Sequence, residues 1–137
     1  MSNQTKDITG SCYCNGVKYR AVNVKTNVSD CHCSQCRKQS GHRYAVVMSD
    51  SENIDIDGEN NITWFRSSDE AQRGFCSNCG SHLFWKSLID TEMAILAASI
   101  DNIEGFHLSS HIFVQDKGGY YEIEDDLPKF KDFDTPL

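Results

Sequence analysis

Short apolar segments separated by turn residues run through most of the chain, a pattern typical of a mainly β protein. Residues 17–22 alternate apolar and polar side chains, as a half-buried strand does. Residues 44–48 are apolar and β-branched enough for a buried strand. Five further short strands are predicted at 54–56, 62–65, 72–75, 82–85 and 111–114.

The remaining segments are less regular. Residues 93–98 are apolar throughout and fit either a central strand or a buried helical turn, although their length favours the strand. No amphipathic pattern is long enough for a helix of more than two turns. The length of 137 residues therefore predicts one mainly β domain over 1–137, with residues 1–9 and 131–137 as peripheral tails.

Charge is acidic overall and unevenly distributed along the chain. A formal net charge of −7 argues against a nucleic-acid partner, because affinity for a phosphate backbone comes largely from clustered Lys and Arg. The first 49 residues nevertheless carry seven Lys or Arg and two Asp. The densest positive run, residues 37–43, contains Arg37, Lys38 and Arg43. It can contact an anionic small molecule or balance nearby thiolates, and both alternatives stay open at this stage.

Cellular location bears on how the seven cysteines are interpreted. The sequence has no apolar run near the roughly 20 residues that a transmembrane helix needs. Its first residues also lack the apolar segment of a secretory signal, so we expect a cytoplasmic protein with no membrane partner. In a reducing compartment the cysteines indicate metal or catalytic thiols in preference to disulfides. The odd count would also leave one thiol without a disulfide partner.

Four of the cysteines form two closely spaced pairs. Cys76 and Cys79 are separated by two residues and followed by Gly80, which is the pattern of a metal-binding turn. A thioredoxin-like redox pair shares this spacing, but the surrounding sequence lacks the βαβ pattern of that fold. Cys12 and Cys14 lie two apart, so both thiols leave the same face of an extended segment. Together the pairs would complete one tetrahedral site, although spacing also allows Cys12 and Cys14 to share a metal with part of the third group.

That third group, Cys31, Cys33 and Cys36, places three thiols within six residues. Three protein ligands with one exchangeable position is the arrangement of a catalytic zinc site, so we interpret this group as the open site. The fourth ligand is either a histidine, with His32 and His42 the nearest candidates, or water or a substrate thiolate. A site with three thiolates favours a sulfur donor, which makes a small thiol a suitable ligand.

The cysteine pattern and the residues around it resemble the glutathione-dependent formaldehyde-activating enzyme family, which also contains the centromere protein V family. The segments that carry the resemblance are GSCYCNGV at 10–17, CHCSQCRKQSG at 31–41, RGFCSNCG at 73–80, HIFV at 111–114 and DLPKF at 126–130. They extend over nearly the whole chain.

The resemblance implies a β-tent, in which several small antiparallel sheets fold around a core, with two Zn²⁺ per chain. The structural zinc would be held by Cys12, Cys14, Cys76 and Cys79, and the catalytic zinc by Cys31, Cys33 and Cys36. The implied activity is that of a carbon–sulfur lyase resembling S-hydroxymethylglutathione synthase, with glutathione as co-substrate. The metal would deprotonate the glutathione thiol, which then attacks the carbonyl carbon of formaldehyde. Our own hypothesis is that Arg37, Lys38 and Arg43 contact the carboxylates of glutathione.

Two other classes of function fit the same cysteines: a zinc-stabilised binding module and a thiol or metal carrier. Several further residues are expected to be structural. The aromatic residues predicted in the core are Trp64, Phe84, Trp85 and Phe113. The histidines predicted to be hydrogen-bonded structural residues are His82, His107 and His111.

Overall fold

Ten strands form two sheets in residues 4–137, the part of the chain that the structure, a computed structural model, describes. The strands are β1 (Thr5–Ser11), β2 (Lys18–Lys25), β3 (Asn27–Cys31), β4 (Tyr44–Asp50), β5 (Ile54–Asp57), β6 (Ile62–Arg66), β7 (Ala71–Cys76), β8 (His82–Ser87), β9 (Glu92–Leu96) and β10 (His107–Ile112). One α-helix, α1 (Ser34–Ser40), follows β3. Short 3-10 turns occupy Ser51–Asn53, Glu59–Asn61, Ala97–Ser99 and Val114–Asp116.

The two sheets differ in size and in strand direction. The smaller sheet has the order β1-β2-β5 and is antiparallel. The larger has the order β10-β3-β4-β9-β8-β7-β6, and of its described pairs only β3 with β10 is parallel. A parallel pair needs a long connection, and here most of the chain lies between the two strands. The C-terminal third is thereby brought beside the cysteine group that follows β3.

The main hydrophobic core joins side chains from both sheets. Val24 of β2 lies in one cluster with Val47 of β4, Leu83 of β8 and Ile95 of β9, and all four are fully buried. Burial of each such side chain contributes about 1.5–3 kcal/mol to the stability of the fold, relative to an exposed position. The packed sheets form a rigid base for the loops that carry the cysteines.

The mainly β class predicted from the sequence is confirmed. The strands predicted at 44–48, 54–56, 62–65, 72–75 and 82–85 lie within β4 to β8. The strand predicted at 17–22 begins at Lys18 and extends to Lys25, because an irregularity at Asn23, with a φ of 55°, brings the fully buried Val24 back to the core side. Within 4–137, none of the helices is both long and apolar enough to cross a membrane.

Strand β1 is the principal element that the apolar pattern missed. We predicted a tail over residues 1–9; residues 1–3 lie outside the described part of the chain, whereas Thr5–Ser11 pairs with β2. This strand is at the edge of its sheet and buries only Ile8 and Gly10. An edge strand with one large apolar anchor leaves little hydrophobic signal in the sequence.

Two predicted strands have different ends in the structure. The segment 93–98 is strand β9 only as far as Leu96, and a 3-10 turn, Ala97–Ser99, follows. Of the segment 111–114, only His111 and Ile112 belong to β10, because this strand begins at His107 and ends at Ile112. Phe113 has a φ of 54° and therefore cannot continue an extended strand.

Candidate metal centres and active site

Cys12, Cys14, Cys76 and Cys79 come together although 62 residues separate Cys14 from Cys76. Their four sulfurs lie within 4.8 Å of one another. The Cys12 and Cys14 sulfurs are 3.6 Å apart, and those of Cys14 and Cys76 are 3.7 Å apart. A tetrahedron with metal–sulfur bonds of about 2.3 Å has edges of about 3.8 Å, so this sulfur set fits a tetrahedral metal ion.

Backbone turns hold these four sulfurs in place. The Val17 N–H donates to the sulfur of Cys12 over 3.3 Å. Gly80 has a φ of 78°, and its N–H closes the turn by donating to the carbonyl of Cys76 over 2.8 Å. Hydrogen bonding by the Ser81 hydroxyl, 3.2 Å from the sulfur of Cys79, is the main cause that lowers the pKa of Cys79 to about 5. The turn therefore favours a thiolate, the form that binds metal.

The second group, Cys31, Cys33 and Cys36, surrounds the start of α1. Cys31 is the last residue of β3, Cys33 is the N-cap of the helix, and Cys36 lies in its first turn. The Cys33 sulfur accepts a hydrogen bond from the Cys36 N–H over 3.2 Å. All three sulfurs lie within 4.8 Å of one another. This helix was not anticipated from the sequence, because seven residues are too few for a clear periodic pattern.

The three thiols differ in how readily each loses its proton. Hydrogen bonds from Cys31 and then Cys36 lower the pKa of Cys33 far below its ordinary value, and Arg73 adds to this effect. The same contacts with Cys33 and Cys36, together with burial, raise the pKa of Cys31. These contacts favour the thiolate form of Cys33 over that of Cys31.

Arg73, on strand β7, is a buried cation that sequence spacing did not identify. Its side chain is 3% exposed, and Nη1 lies 3.5 Å from the sulfur of Cys36. Nη2 donates to Oε1 of Gln35 over 3.3 Å, and the guanidinium lies 4.9 Å from the centre of the Tyr44 ring. A guanidinium in this position stabilises negative charge on the sulfurs.

A cavity of about 450 Å³ opens beside these three cysteines. All three cysteines line it, as do Arg73 and Tyr44. The Tyr44 hydroxyl is 2.6 Å from Nδ1 of His82, and burial raises the pKa of Tyr44. The cavity thus combines three sulfur ligands, a cation and a protonated hydroxyl.

No fourth Cys, His, Asp or Glu joins the three-cysteine group among residues 4–137. His32 and His42 were our candidates for that ligand. Nδ1 of His32 is 2.5 Å from the hydroxyl of Tyr121, and its Nε2 is 2.9 Å from Nδ1 of His111. His42 Nδ1 is hydrogen-bonded to the hydroxyl of Tyr120. The three-sulfur group therefore has an open side, which borders the cavity.

His32 belongs to a hydrogen-bonded chain that ends at Asp125. His111 connects the two, because its Nε2 is 2.8 Å from Oδ2 of Asp125. This contact is the main cause that lowers the pKa of Asp125, while burial is the main cause that lowers the pKa of His32 to about 4. The chain fixes the loop between Cys31 and Cys33 to the C-terminal segment.

Asp30 lies against the same two histidines and could form a third metal-binding group with them. Its Oδ2 is 3.8 Å from Nε2 of His32 and 3.7 Å from Nδ1 of His111. However, Nε of Arg43 is 2.9 Å from the same oxygen. A guanidinium at that distance repels a metal ion, so Asp30 forms an ion pair with Arg43, and its contacts with the two histidines are too long for hydrogen bonds.

The three cations proposed for substrate binding lie outside the cavity wall. Arg43 is paired with Asp30, whereas Arg37 and Lys38 lie on α1. None of the three is among the residues that line the cavity. Contact between these side chains and a substrate carboxylate stays a prediction.

The aromatic residues expected in the core fall into two groups. Phe84 is 1% exposed, and Trp64 is stacked with it at a ring separation of 6.2 Å. Trp85 and Phe113 pack beside the three-cysteine group and also line the cavity. The walls of the candidate site are therefore continuous with the apolar interior.

The fold and these clusters define a mainly β protein that can hold two metal ions, one in a closed set of four sulfurs and one in an open set of three. The sequence model of the glutathione-dependent formaldehyde-activating enzyme family matches residues 7–116, and the chain belongs to this family.

Two individual proteins are similar to this chain. An uncharacterized lyase of Schizosaccharomyces pombe is 24% identical over 122 residues, which cover 88% of each chain. The crystal structure of a Rhodobacter sphaeroides protein superposes with a TM-score of 0.58 at 21% identity, covering 72% of this chain and 92% of that one. At this identity the structural likeness concerns the fold alone.

Proposed function

We propose that this protein is a zinc-dependent enzyme of the carbon–sulfur lyase type, which forms or cleaves the bond between a thiol sulfur and an aldehyde carbon. The substrate that family membership suggests is a glutathione adduct such as S-hydroxymethylglutathione, with glutathione as co-substrate. The name of the fission yeast relative, a lyase, supports the reaction class. The proposal places the enzyme in the cytoplasm and gives it small-molecule partners without nucleic acid or membrane.

The observation that carries the proposal is the three-sulfur group at the wall of a cavity. Cys31, Cys33 and Cys36 would hold the catalytic zinc, and Cys12, Cys14, Cys76 and Cys79 the structural zinc. A closed site needs four protein ligands, whereas an open site needs three and a position for substrate. Zinc bound there would lower the pKa of a thiol that coordinates it, so that the thiol reacts as a thiolate.

The chain itself supplies the surroundings for this chemistry. Arg73 stabilises negative charge on the sulfurs through its contact with Cys36. Tyr44 lines the same cavity, and its raised pKa keeps the hydroxyl protonated; with Nδ1–H of His82 donating to its oxygen, the hydroxyl can donate to a developing alkoxide. The neighbouring aromatic walls lower the polarity of the surroundings, which strengthens both interactions.

The reaction is an addition without oxidation or reduction. In the forming direction, a sulfur electron pair makes the new bond to the carbonyl carbon, and the C=O π pair moves onto oxygen. The proton lost by the thiol is balanced by the proton that this oxygen gains. The cleaving direction reverses each of these changes and returns thiol and aldehyde.

The test uses zinc-loaded protein with ¹³C-formaldehyde and several thiols, including glutathione, and measures exchange rates by magnetisation-transfer NMR. The spontaneous reaction without enzyme provides the baseline. We expect the wild type to exceed that baseline, and Cys33→Ala to lose the acceleration while its melting temperature stays within a few degrees. Cys76→Ala should instead unfold, because it disrupts the closed site.

If Cys33→Ala unfolded as readily as Cys76→Ala, the three-cysteine group would be structural and the proposal wrong. A protein that bound zinc at both sites without accelerating exchange for any thiol would fit a binding module or a metal carrier instead.

A further inference from the structure

The cavity beside the three-cysteine group has walls of apolar side chains. Beside the exposed Phe133, the large residues that contribute are Tyr44, Val46, Met48, Trp85, Ile112 and Phe113. Tyr44 and Val46 are buried, and the other four are half-buried. Desolvating such walls with an apolar ligand contributes about 25 cal/mol for each Å² removed from water. The shape and chemistry of the walls therefore favour an apolar group next to the reacting sulfur.

Three exposed carboxylates lie at the rim of the same cavity. Glu70 precedes β7, Glu92 begins β9, and Asp116 ends the turn after β10. They come from three separate parts of the chain, and all three line this cavity. A substrate that carries carboxylates would be repelled there, since like charges at short range raise its free energy.

Among residues 4–137, the lining of the cavity offers no free cation to such a substrate. Of the described residues that line it, Arg73 is the one with a positive charge, and its guanidinium already contacts Cys36, Gln35 and the Tyr44 ring. Glutathione carries two carboxylates and one ammonium group, so its net negative charge does not match the rim and its polar peptide groups do not match the walls.

We infer that this site prefers thiols whose remaining part is apolar and carries no carboxylate, together with their aldehyde adducts. The inference rests on the proposed carbon–sulfur chemistry and concerns only the thiol it selects. The reaction is unchanged: the S–C bond forms, the carbonyl π pair moves to oxygen, and one proton is relocated from sulfur to that oxygen. Glutathione is then a slow substrate of this family member.

A matched comparison of thiols tests this selectivity. Zinc-loaded protein is assayed by ¹³C-formaldehyde exchange with glutathione, with its diethyl ester and with phenylmethanethiol. The ester keeps the peptide and the reacting thiol but removes both carboxylates. We expect kcat/KM for the ester and for phenylmethanethiol to exceed that for glutathione by at least about tenfold, which is 1.4 kcal/mol in transition-state free energy.

Charge reversal at the rim gives a second measurement. In Glu70→Lys combined with Glu92→Lys, kcat/KM for glutathione should rise by about fivefold or more, while that for phenylmethanethiol stays within about twofold. The rise should shrink in 0.5 M salt, where charges are screened over about 4 Å. Glu52→Lys is the matched control, because this exposed carboxylate does not line the cavity.

Trp85 allows binding to be followed without turnover. Phenylmethanethiol should quench Trp85 fluorescence at a lower concentration than glutathione. In Trp85→Phe this ligand-dependent quenching should disappear. Equal or faster exchange with glutathione than with its ester, and tighter binding of glutathione, would overturn the selectivity and leave the proposed reaction intact. Absence of accelerated exchange with every thiol would reject the reaction and the selectivity together.

Discussion

Nη1 of Arg73 lies 3.5 Å from the sulfur of Cys36, and 37 residues separate the two in sequence. The contact joins the two cysteine groups through one strand, because β7 carries Arg73 near its middle and Cys76 at its end. The metal-binding turn after β7 therefore helps to position the cation beside the open site. A change in the closed site is expected to alter the reactivity of the open one.

Replacing Arg73 with methionine should weaken both thiolate formation and activity. A charge-assisted hydrogen bond contributes about 1.5–3 kcal/mol, so kcat/KM should fall by about ten- to a hundredfold. In reduced protein that keeps zinc only at the four-cysteine site, the pH profile of cysteine alkylation should move upward by about one unit. Arg66→Met is the control, since Arg66 is exposed and donates to the backbone carbonyls of Ser68 and Asp69. An alkylation profile identical to that of the wild type would contradict this role.

Metal removal should proceed in two steps. We expect two zinc ions per chain, with the ion at Cys31, Cys33 and Cys36 lost first, because three protein sulfurs hold it in place of four. A chromogenic chelator records the release, and circular dichroism records folding in the same sample. The first release should abolish exchange activity with little spectral change, and the second should accompany unfolding. Release of both ions in one step, together with loss of structure, would show that the two sites are equally structural.

The local parts of this structure could be predicted from sequence because spacing determines them. Cys76 and Cys79 flank a tight turn before Gly80, as their spacing predicts. Cys12 and Cys14 converge as expected, although they do so in a turn, closed by the Asn15 N–H donating to the Cys12 carbonyl, and not in an extended segment. Strand positions followed from apolar periodicity for the same reason. The polar edge strand β1 and the seven-residue helix α1 were missed because each buries few apolar side chains.

Contacts between residues far apart in the sequence cannot be predicted from local spacing in this way. His32 and His111 are 79 residues apart and meet only because β10 pairs in parallel with β3. Arg73 reaches Cys36 across the larger sheet in a similar way. Contacts of this kind depend on strand order, which apolar periodicity does not specify.

Gly58 is a position where an added methyl group should destabilise the fold. Its φ is 85°, and a Cβ there would collide with the backbone carbonyl oxygen of Gly16, two residues after Cys14. An alanine side chain is strained at this left-handed backbone conformation and also overpacks the site. Together these effects should lower the free energy of unfolding of Gly58→Ala by about 2–4 kcal/mol. The free energy of unfolding in urea measures the effect. Gly119→Ala is the matched control, because nothing lies within 4 Å of its added Cβ, and a similar loss in both variants would refute this explanation.

Protonation of His32 should destabilise the folded protein in acid. Burial, followed by the charges of His111 and Arg43, lowers its pKa from 6.5 to about 4 in the fold. Between these two pH values the unfolded chain binds more protons, so stability is highest above 6.5 and falls as the pH drops toward 4.

The melting temperature of zinc-saturated protein, measured at intervals from pH 7.5 to 4.0, tests this assignment. The wild type should lose about 5 °C or more over that interval in excess of His32→Gln, which cannot titrate but retains a donor near the Nε2 position. Acid also protonates the cysteine ligands, but it does so in both proteins, so the difference between the two curves reports on His32. His107→Gln, in which an exposed histidine is replaced, should follow the wild type. Parallel curves for wild type and His32→Gln would show that the histidine chain contributes nothing to acid sensitivity.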